Sequence, residues 1–337
     1  MEALFYEKLE DQKVRCHLCH HRCTINNNGF GRCKVRQNVN GVLESMIYSR
    51  LVAINPDPIE KKPLFHVLPG SMSYSIGAAG CNFRCAFCQN AEISQMPRES
   101  GRMGEHIFSA ADIVDDALVN KCRSIAFTYT EPTVNFEFCY DTALLARAKS
   151  LKTVFVTNGY MTTEAIDMIA PYLDAASVDL KSYSEDVYRE LCEAHLEPVK
   201  ESLIHFQRRG IFVEVTTLVI PGINDSEGEL KNLAAFLVNE LGPETPWHIS
   251  RFHPTYQLQD VSPTPMGTLS RARDIGLKAG LKYVYIGNVH GHPSENTYCP
   301  DCGKIIIERA GFYNIKQYHI ENSRCAYCGA LINGIDL

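Results

Sequence analysis

The stretch Gly80-Cys81-Asn82-Phe83-Arg84-Cys85-Ala86-Phe87-Cys88-Gln89-Asn90 decides how the rest of the chain is read. Three cysteines spaced by three and then two residues, on a loop opened by Gly77 and Gly80, suit three corners of a cubane iron–sulfur cluster. A complete [4Fe-4S] site takes four thiolates, so a set of three leaves one iron open, as catalytic metals keep an open position. A structural zinc site is the alternative for the same thiolates. Zinc knuckles favour C-x2-C pairs with a fourth ligand close by, whereas the next cysteine, Cys122, reads as part of a helix.

At 337 residues, 45% of them apolar and 21% charged, the chain has the composition of a water-soluble globular protein and length for about two domains. Its 33 basic and 39 acidic residues leave a net charge of −6, with no Lys/Arg run to neutralise phosphates. A small molecule or a protein is the expected partner, and no nucleic acid. The N-terminus carries early acids and no apolar signal core, and no apolar run has membrane length. The expected setting is the cytoplasm, away from any membrane.

All but three of the fourteen cysteines fall into tight groups, which is metal-ligand spacing in a reducing compartment rather than a small secreted disulfide scaffold. Cys122, Cys139 and Cys192 stand alone and read as small buried hydrophobes.

Residues 1–70 form a first, cysteine-rich unit. Within it Cys16, Cys19, Cys23 and Cys33 supply four thiolates interleaved with His17, His20 and His21. Zinc and a second iron–sulfur cluster both fit that set, with zinc slightly preferred. Asn55-Pro56-Asp57-Pro58 and Pro63 read as an irregular connector.

Residues 71–290 alternate short β-branched runs with helical segments. The runs are Tyr74 to Ile76, Ser124 to Tyr129, Thr153 to Thr157, Ala176 to Leu180, Phe212 to Val219, His248 to Phe252 and Tyr283 to Ile286. Ser109 with Asp112, and Ser226 with Glu229, read as helix capping boxes. This alternation predicts an α/β fold with parallel pairing, as a closed barrel or an open sheet, and active residues at the C-terminal strand ends. Polar residues do follow each run: the cysteine loop, Thr130-Glu131, Asn158, Asp179 and Lys181, Asn224-Asp225, and His253. Glu131 could accept from an ammonium group, and Asp179 and Lys181, expected on one side of a strand, could pair with a zwitterion or with each other.

Residues 291–337 carry Cys299-x2-Cys302-Gly303 and Cys325-x2-Cys328-Gly329 with strand formers between them. This is a zinc-ribbon pattern; iron, as in rubredoxin, is the minority reading.

With these residues in place, the C-x3-C-x-aromatic-C loop resembles the signature of the radical S-adenosylmethionine (SAM) superfamily. Lys61-Lys-Pro-Leu-Phe-His66, Tyr129-Thr-Glu-Pro-Thr133, Val178-Asp-Leu-Lys181, Cys16-His-Leu-Cys19 and the Cys299 to Gly329 ribbon extend the likeness. Together they resemble the radical SAM enzymes of the AmmeMemoRadiSam system, related to the activating enzymes of pyruvate formate-lyase and other glycyl radical enzymes. The resemblance implies a partial (β/α)6 barrel and a [4Fe-4S] cluster on Cys81, Cys85 and Cys88, with SAM across the strand ends. Phe87, Asn90, Thr130, Glu131, Asn158, Asp179, Lys181 and His253 then bind the cofactors, with His253 near the nucleoside. It further implies a one-electron donor such as flavodoxin or ferredoxin, and reductive SAM cleavage to a 5′-deoxyadenosyl radical that takes hydrogen from a protein or small-molecule substrate. Activation of a glycyl radical enzyme is one such case. Three departures stand out: Tyr129 and Thr130 replace a Gly-Gly pair, Val156 replaces an aspartate that helps bind a monovalent cation, and Ala91 stands where a tryptophan is expected. A non-catalytic metal-binding adaptor using the terminal cysteine units is the reading from another class.

Overall fold

All seven apolar runs become parallel strands, joined in turn by crossover segments that carry helices. The computed structural model describes residues 1–289 and 291–337, so the expected boundary at residue 290 falls outside the described residues. The strands of the main sheet are β1 (Ala53–Pro58), β2 (Met72–Gly77), β3 (Ser124–Phe127), β4 (Lys152–Thr157), β5 (Ala175–Asp179), β6 (Phe212–Val219), β7 (Trp247–Arg251) and β8 (Val284–Gly287). They form one eight-stranded sheet in chain order, in which β2 to β8 are parallel neighbours and β1 pairs antiparallel with β2. This is the expected radical-SAM-type α/β architecture, with one parallel strand beyond six.

β1 is a correction, since the Asn-Pro-Asp-Pro stretch is a strand and not an irregular connector. It lies at the sheet edge, where a proline's missing N–H costs no ladder bond.

Between the parallel strands run α1 (Ala110–Val119), α2 (Phe136–Ala148), α3 (Thr163–Ile169), α4 (Leu196–Arg208), α5 (Glu227–Phe236) and α6 (Met266–Ala279). Ser109 and Asp112 close the expected capping box on α1. On α5 only half of it forms. Ser226 Oγ accepts from Glu229 N at 3.2 Å, but the Glu229 carboxylate turns to Tyr183 N (2.8 Å) and the Ser182 hydroxyl. Cys122 lies past the end of α1, in the turn before β3. Among the described residues, no helix is long and apolar enough to cross a membrane.

Inside the barrel, Glu214 on β6 accepts from His248 Nε2 (2.6 Å) and from the backbone N–H groups of Phe65 (3.0 Å) and His66 (2.8 Å). That buried carboxylate ties the segment after β1 to two strands. The C-terminal unit is bolted to the same segment. Arg309 Nη2 donates to Phe65 O at 2.8 Å, and its Nε lies 3.6 Å from buried Glu60, while Ile335 N donates to His66 O at 2.8 Å. The N-terminal unit is a small antiparallel sheet (Tyr6–Lys8, Val14–Cys16, Thr24–Ile25) beside the hairpin Arg36–Val39 and Val42–Ser45.

Candidate active site

β2 delivers the chain to the cysteine loop through two glycines that tolerate no side chain. A Cβ on Gly77 would lie 2.8 Å from Thr128 O. Gly80 has φ +100°, and a Cβ there would lie 2.7 Å from Val35 Cγ1 and 3.4 Å from Cys33 O. The loop hangs from neighbouring backbone. Arg84 N donates to Cys192 O at 3.0 Å, Ala86 N to Leu191 O at 2.8 Å, and Gln257 N to Ala86 O at 3.0 Å. Phe83 is buried with its ring edge-on to Tyr160, centroids 5.0 Å apart.

Cys81, Cys85 and Cys88 face a cavity of about 540 Å³ at the C-terminal strand ends, a size that suits a small-molecule site. Burial pushes the Cys81 and Cys88 thiols up. Cys85 goes the other way: a hydrogen bond with Cys192 favours its thiolate against the cost of burial, and the Lys181 ammonium adds to this. Cys192 is therefore no isolated hydrophobe. Sequence spacing had no means of finding it, because the contact spans more than a hundred residues.

Phe87, Asn90, Thr130, Glu131, Asn158, Asp179 and Lys181 all line the same cavity. His253 does not: it is exposed beyond the end of β7, and His248 and Ser250 of that strand face the cavity instead. The physical reason is the two-residue period of a strand, which places 248 and 250 on one face. Val156 also lines the cavity.

Glu131 is buried and takes four hydrogen bonds from the protein itself. Oε1 accepts from Thr133 N (3.0 Å), Thr133 Oγ1 (2.5 Å) and Thr157 Oγ1 (2.7 Å), and Oε2 from Asn158 N (2.8 Å). It thus clamps the ends of β3 and β4 together, leaving Oε2 with a single partner. Burial raises its pKa, and these donors oppose the rise. Asn158 Nδ2 donates to Asn82 Oδ1 at 2.7 Å and lies 3.8 Å from Cys81 Sγ.

β5 ends at Asp179, so Asp179 and Lys181 do not share a strand face, yet they meet at 2.5 Å. Burial opposes the Lys181 charge, but Asp179 and the Cys85 thiolate outweigh it and hold the ammonium.

Tyr129 occupies its glycine-like position at φ +66°. Its carbonyl accepts from Asn90 Nδ2 at 2.7 Å, and its hydroxyl donates to Asp57 on β1 at 2.6 Å. Asp57 also holds Lys62 (2.7 Å) and Lys61 (3.0 Å), and both lysines line the cavity. Thr130 Oγ1 donates to Ala78 O at 2.6 Å.

The outer cysteine groups differ in geometry. Cys299 and Cys328 sulfurs lie 3.6 Å apart, Cys302 and Cys325 3.9 Å, and all four gather within 4.8 Å of one another. A tetrahedral zinc with 2.3 Å bonds spaces its sulfurs about 3.8 Å apart, so this group can hold zinc. Cys16, Cys19, Cys23 and Cys33 line a second cavity with His21 and Arg36. Among the described residues, no three sulfurs of this group are mutually within 4.8 Å.

Comparison with known proteins agrees with this geometry. Residues 75–234 match the family model of the Radical SAM superfamily. An uncharacterised protein of Methanocaldococcus jannaschii is 46% identical over 333 residues, covering 98% of both chains. The pyruvate formate-lyase-activating enzyme of Clostridium pasteurianum is 21% identical over 160 residues, 48% of this chain and 67% of that one. Streptococcus suis SuiB, solved bound to S-adenosylmethionine, shares the fold with a TM-score of 0.51 at 13% identity, over 72% of this chain and 56% of that chain. The loop of three thiols at the mouth of such a sheet lies within residues 75–234, the segment that matches the Radical SAM superfamily model.

Proposed function

We propose that the chain reductively cleaves SAM at a [4Fe-4S] cluster held by Cys81, Cys85 and Cys88, and that it belongs to the AmmeMemoRadiSam branch related to glycyl-radical-enzyme activases. The observation that carries this reading is the convergence of three free thiols with Glu131, Asn158, Asp179 and Lys181 on one cavity. The donor set fits the group: three thiols on one loop, with Phe83 N already donating to Cys81 Sγ at 3.3 Å. A cluster held by Cys81, Cys85 and Cys88 would supply the single electron that reductive cleavage of SAM requires, with methionine as the leaving group and a hydrogen atom of the substrate passing to the deoxyadenosyl group.

The chain's own residues bind and orient. Glu131 Oε2, with one partner so far, offers an acceptor to the SAM ammonium, and the Asp179–Lys181 pair presents both signs to the zwitterionic end. Lys62 stacks over the Tyr129 ring with its ammonium 5.0 Å from the centroid, stiffening the rim on the β1 side. Phe312 reaches the cavity from the C-terminal unit and helps keep water out. A flavodoxin- or ferredoxin-type protein is the matching electron donor, and the hydrogen comes from a protein or small-molecule substrate.

Anaerobic incubation of the reconstituted protein with SAM and a strong reductant should yield 5′-deoxyadenosine. The Cys81→Ala, Cys85→Ala and Cys88→Ala variants should yield none, and turnover equal to wild type in these variants would refute the assignment. For the activase reading, a glycyl radical signal should appear on a partner protein after turnover. Deuterium arriving in deoxyadenosine from a small molecule would point to the other substrate class.

A further inference from the structure

We propose that Cys16, Cys19, Cys23 and Cys33 hold a second [4Fe-4S] cluster, packed directly against the loop that carries the first. The chain contains its own rulers for this. The C-terminal thiols gather as ligands of one ion must, with sulfurs 3.6 and 3.9 Å apart across the site. The N-terminal thiols do not gather, although all four line one cavity. In this they match Cys81, Cys85 and Cys88, which also share a cavity without three sulfurs mutually within 4.8 Å. A cubane binds each thiolate to a different iron, so its ligands stand further apart than ligands sharing a single zinc. The N-terminal group is thereby set apart from the gathered thiols of the ribbon, as the cluster loop is.

Four thiolates and His21 line the cavity, whereas His17 and His20 are not among its lining residues. His21 donates from Nε2 to Asn82 O at 2.9 Å, which leaves the four thiolates as the ligand set. The sulfurs meet the N–H donors that clusters use. Arg36 Nη1 lies 3.6 Å from Cys16 Sγ, and Arg32 N lies 3.5 Å from Cys23 Sγ. Leu18, Ile25 and Val134 complete an apolar wall.

Asn82 is common to both sites. It lines the N-terminal cavity and receives His21 on its carbonyl, while its side chain holds Asn158 beside Cys81. Cys33 O abuts Gly80, one residue before Cys81. A cluster bound here would take one electron from a reduced ferredoxin- or flavodoxin-class donor and hand the same electron across this single layer of residues, with no bond made or broken.

The test is a metal count on the full chain, reconstituted without oxygen with iron and sulfide and assayed for iron, acid-labile sulfide and zinc. About eight irons and one zinc per chain are expected, against about four irons and two zincs if the N-terminal site takes zinc. The combined Cys81→Ala, Cys85→Ala, Cys88→Ala variant should keep about four irons and a reducible cluster signal by electron paramagnetic resonance. Adding Cys19→Ser and Cys23→Ser to it should remove both. Four irons with two zincs in the wild type overturns the proposal, as does a triple variant with wild-type circular dichroism and no iron. Should the triple variant fail to fold, the wild-type count decides alone. The count involves no turnover, so it stands or falls separately from SAM cleavage.

Discussion

The Tyr129 hydroxyl donates a 2.6 Å hydrogen bond to Asp57 Oδ2, joining the segment after β3 to the edge strand β1 across the cavity rim. Burial pushes the Asp57 carboxyl up, but hydrogen bonds from Lys62, Tyr129 and Lys61 outweigh it and bring the pKa from 3.8 down to about 2. For Lys62 the balance is reversed, burial lowering its pKa further than Asp57 restores it. With a carboxylate 2.7 Å away, the ammonium is still the form that satisfies the pair.

A carboxyl whose folded pKa lies below its unfolded one stabilises fully above the unfolded value and loses that stabilisation as pH falls through the folded value. Asp57→Asn leaves Lys62 buried without its partner and should cost about 3 kcal/mol at neutral pH. The gap to wild type should narrow as pH falls from 3.8 toward about 2. Urea titrations over that range measure it, and a gap independent of pH would refute the pairing.

Asn158 places an amide 3.8 Å from Cys81 Sγ. Hydrogen bonds to cluster sulfurs raise reduction potential, so Asn158→Ala should assemble a full cluster with a potential lowered by about 40 mV, the equivalent of a ~1 kcal/mol bond in a one-electron couple. A redox titration followed by paramagnetic resonance reads the shift. An unchanged or raised potential would remove Asn158 from the role.

Lys181→Gln strips the cation from the Asp179 pair without touching a thiol. SAM affinity should fall about tenfold, ~1.4 kcal/mol, with iron content unchanged. Equilibrium dialysis against SAM gives the first number and an iron assay the second. Loss of iron with affinity per cluster intact would make Lys181 a support for the loop instead.

Cys302→Ser should release the C-terminal zinc, since Cys302 is one of four gathered thiols. Because metal binding to such a unit contributes folding free energy, the variant should melt several degrees lower. Calorimetry with and without a chelator checks this; a wild type indifferent to chelation, with no zinc by elemental analysis, would contradict it.

Much of this arrangement was legible locally. Apolar runs such as Phe212 to Val219 announce strands, and the thiol spacing announces the loop. What escaped depended on partners distant in sequence. Asn-Pro-Asp-Pro looks like a breaker until the sheet edge that excuses its prolines is known. Glu131 looks free until Thr157 and Asn158 arrive from the next strand, and Glu229 looks like a cap until Ser182 and Tyr183 claim it. His253 lost its expected place because strand phase, and not proximity to the strand end, decides which histidine faces inward.

Gly80 deserves a last consequence. At φ +100°, with Val35 and Cys33 pressed against the site where a side chain would begin, the alphabet at position 80 has a single letter. The close approach of the Cys33–Val35 segment to the cysteine loop therefore depends on the bare backbone at this position. A methyl there would press on Val35 and hold a strained backbone, so in any library of variants this position should tolerate nothing else.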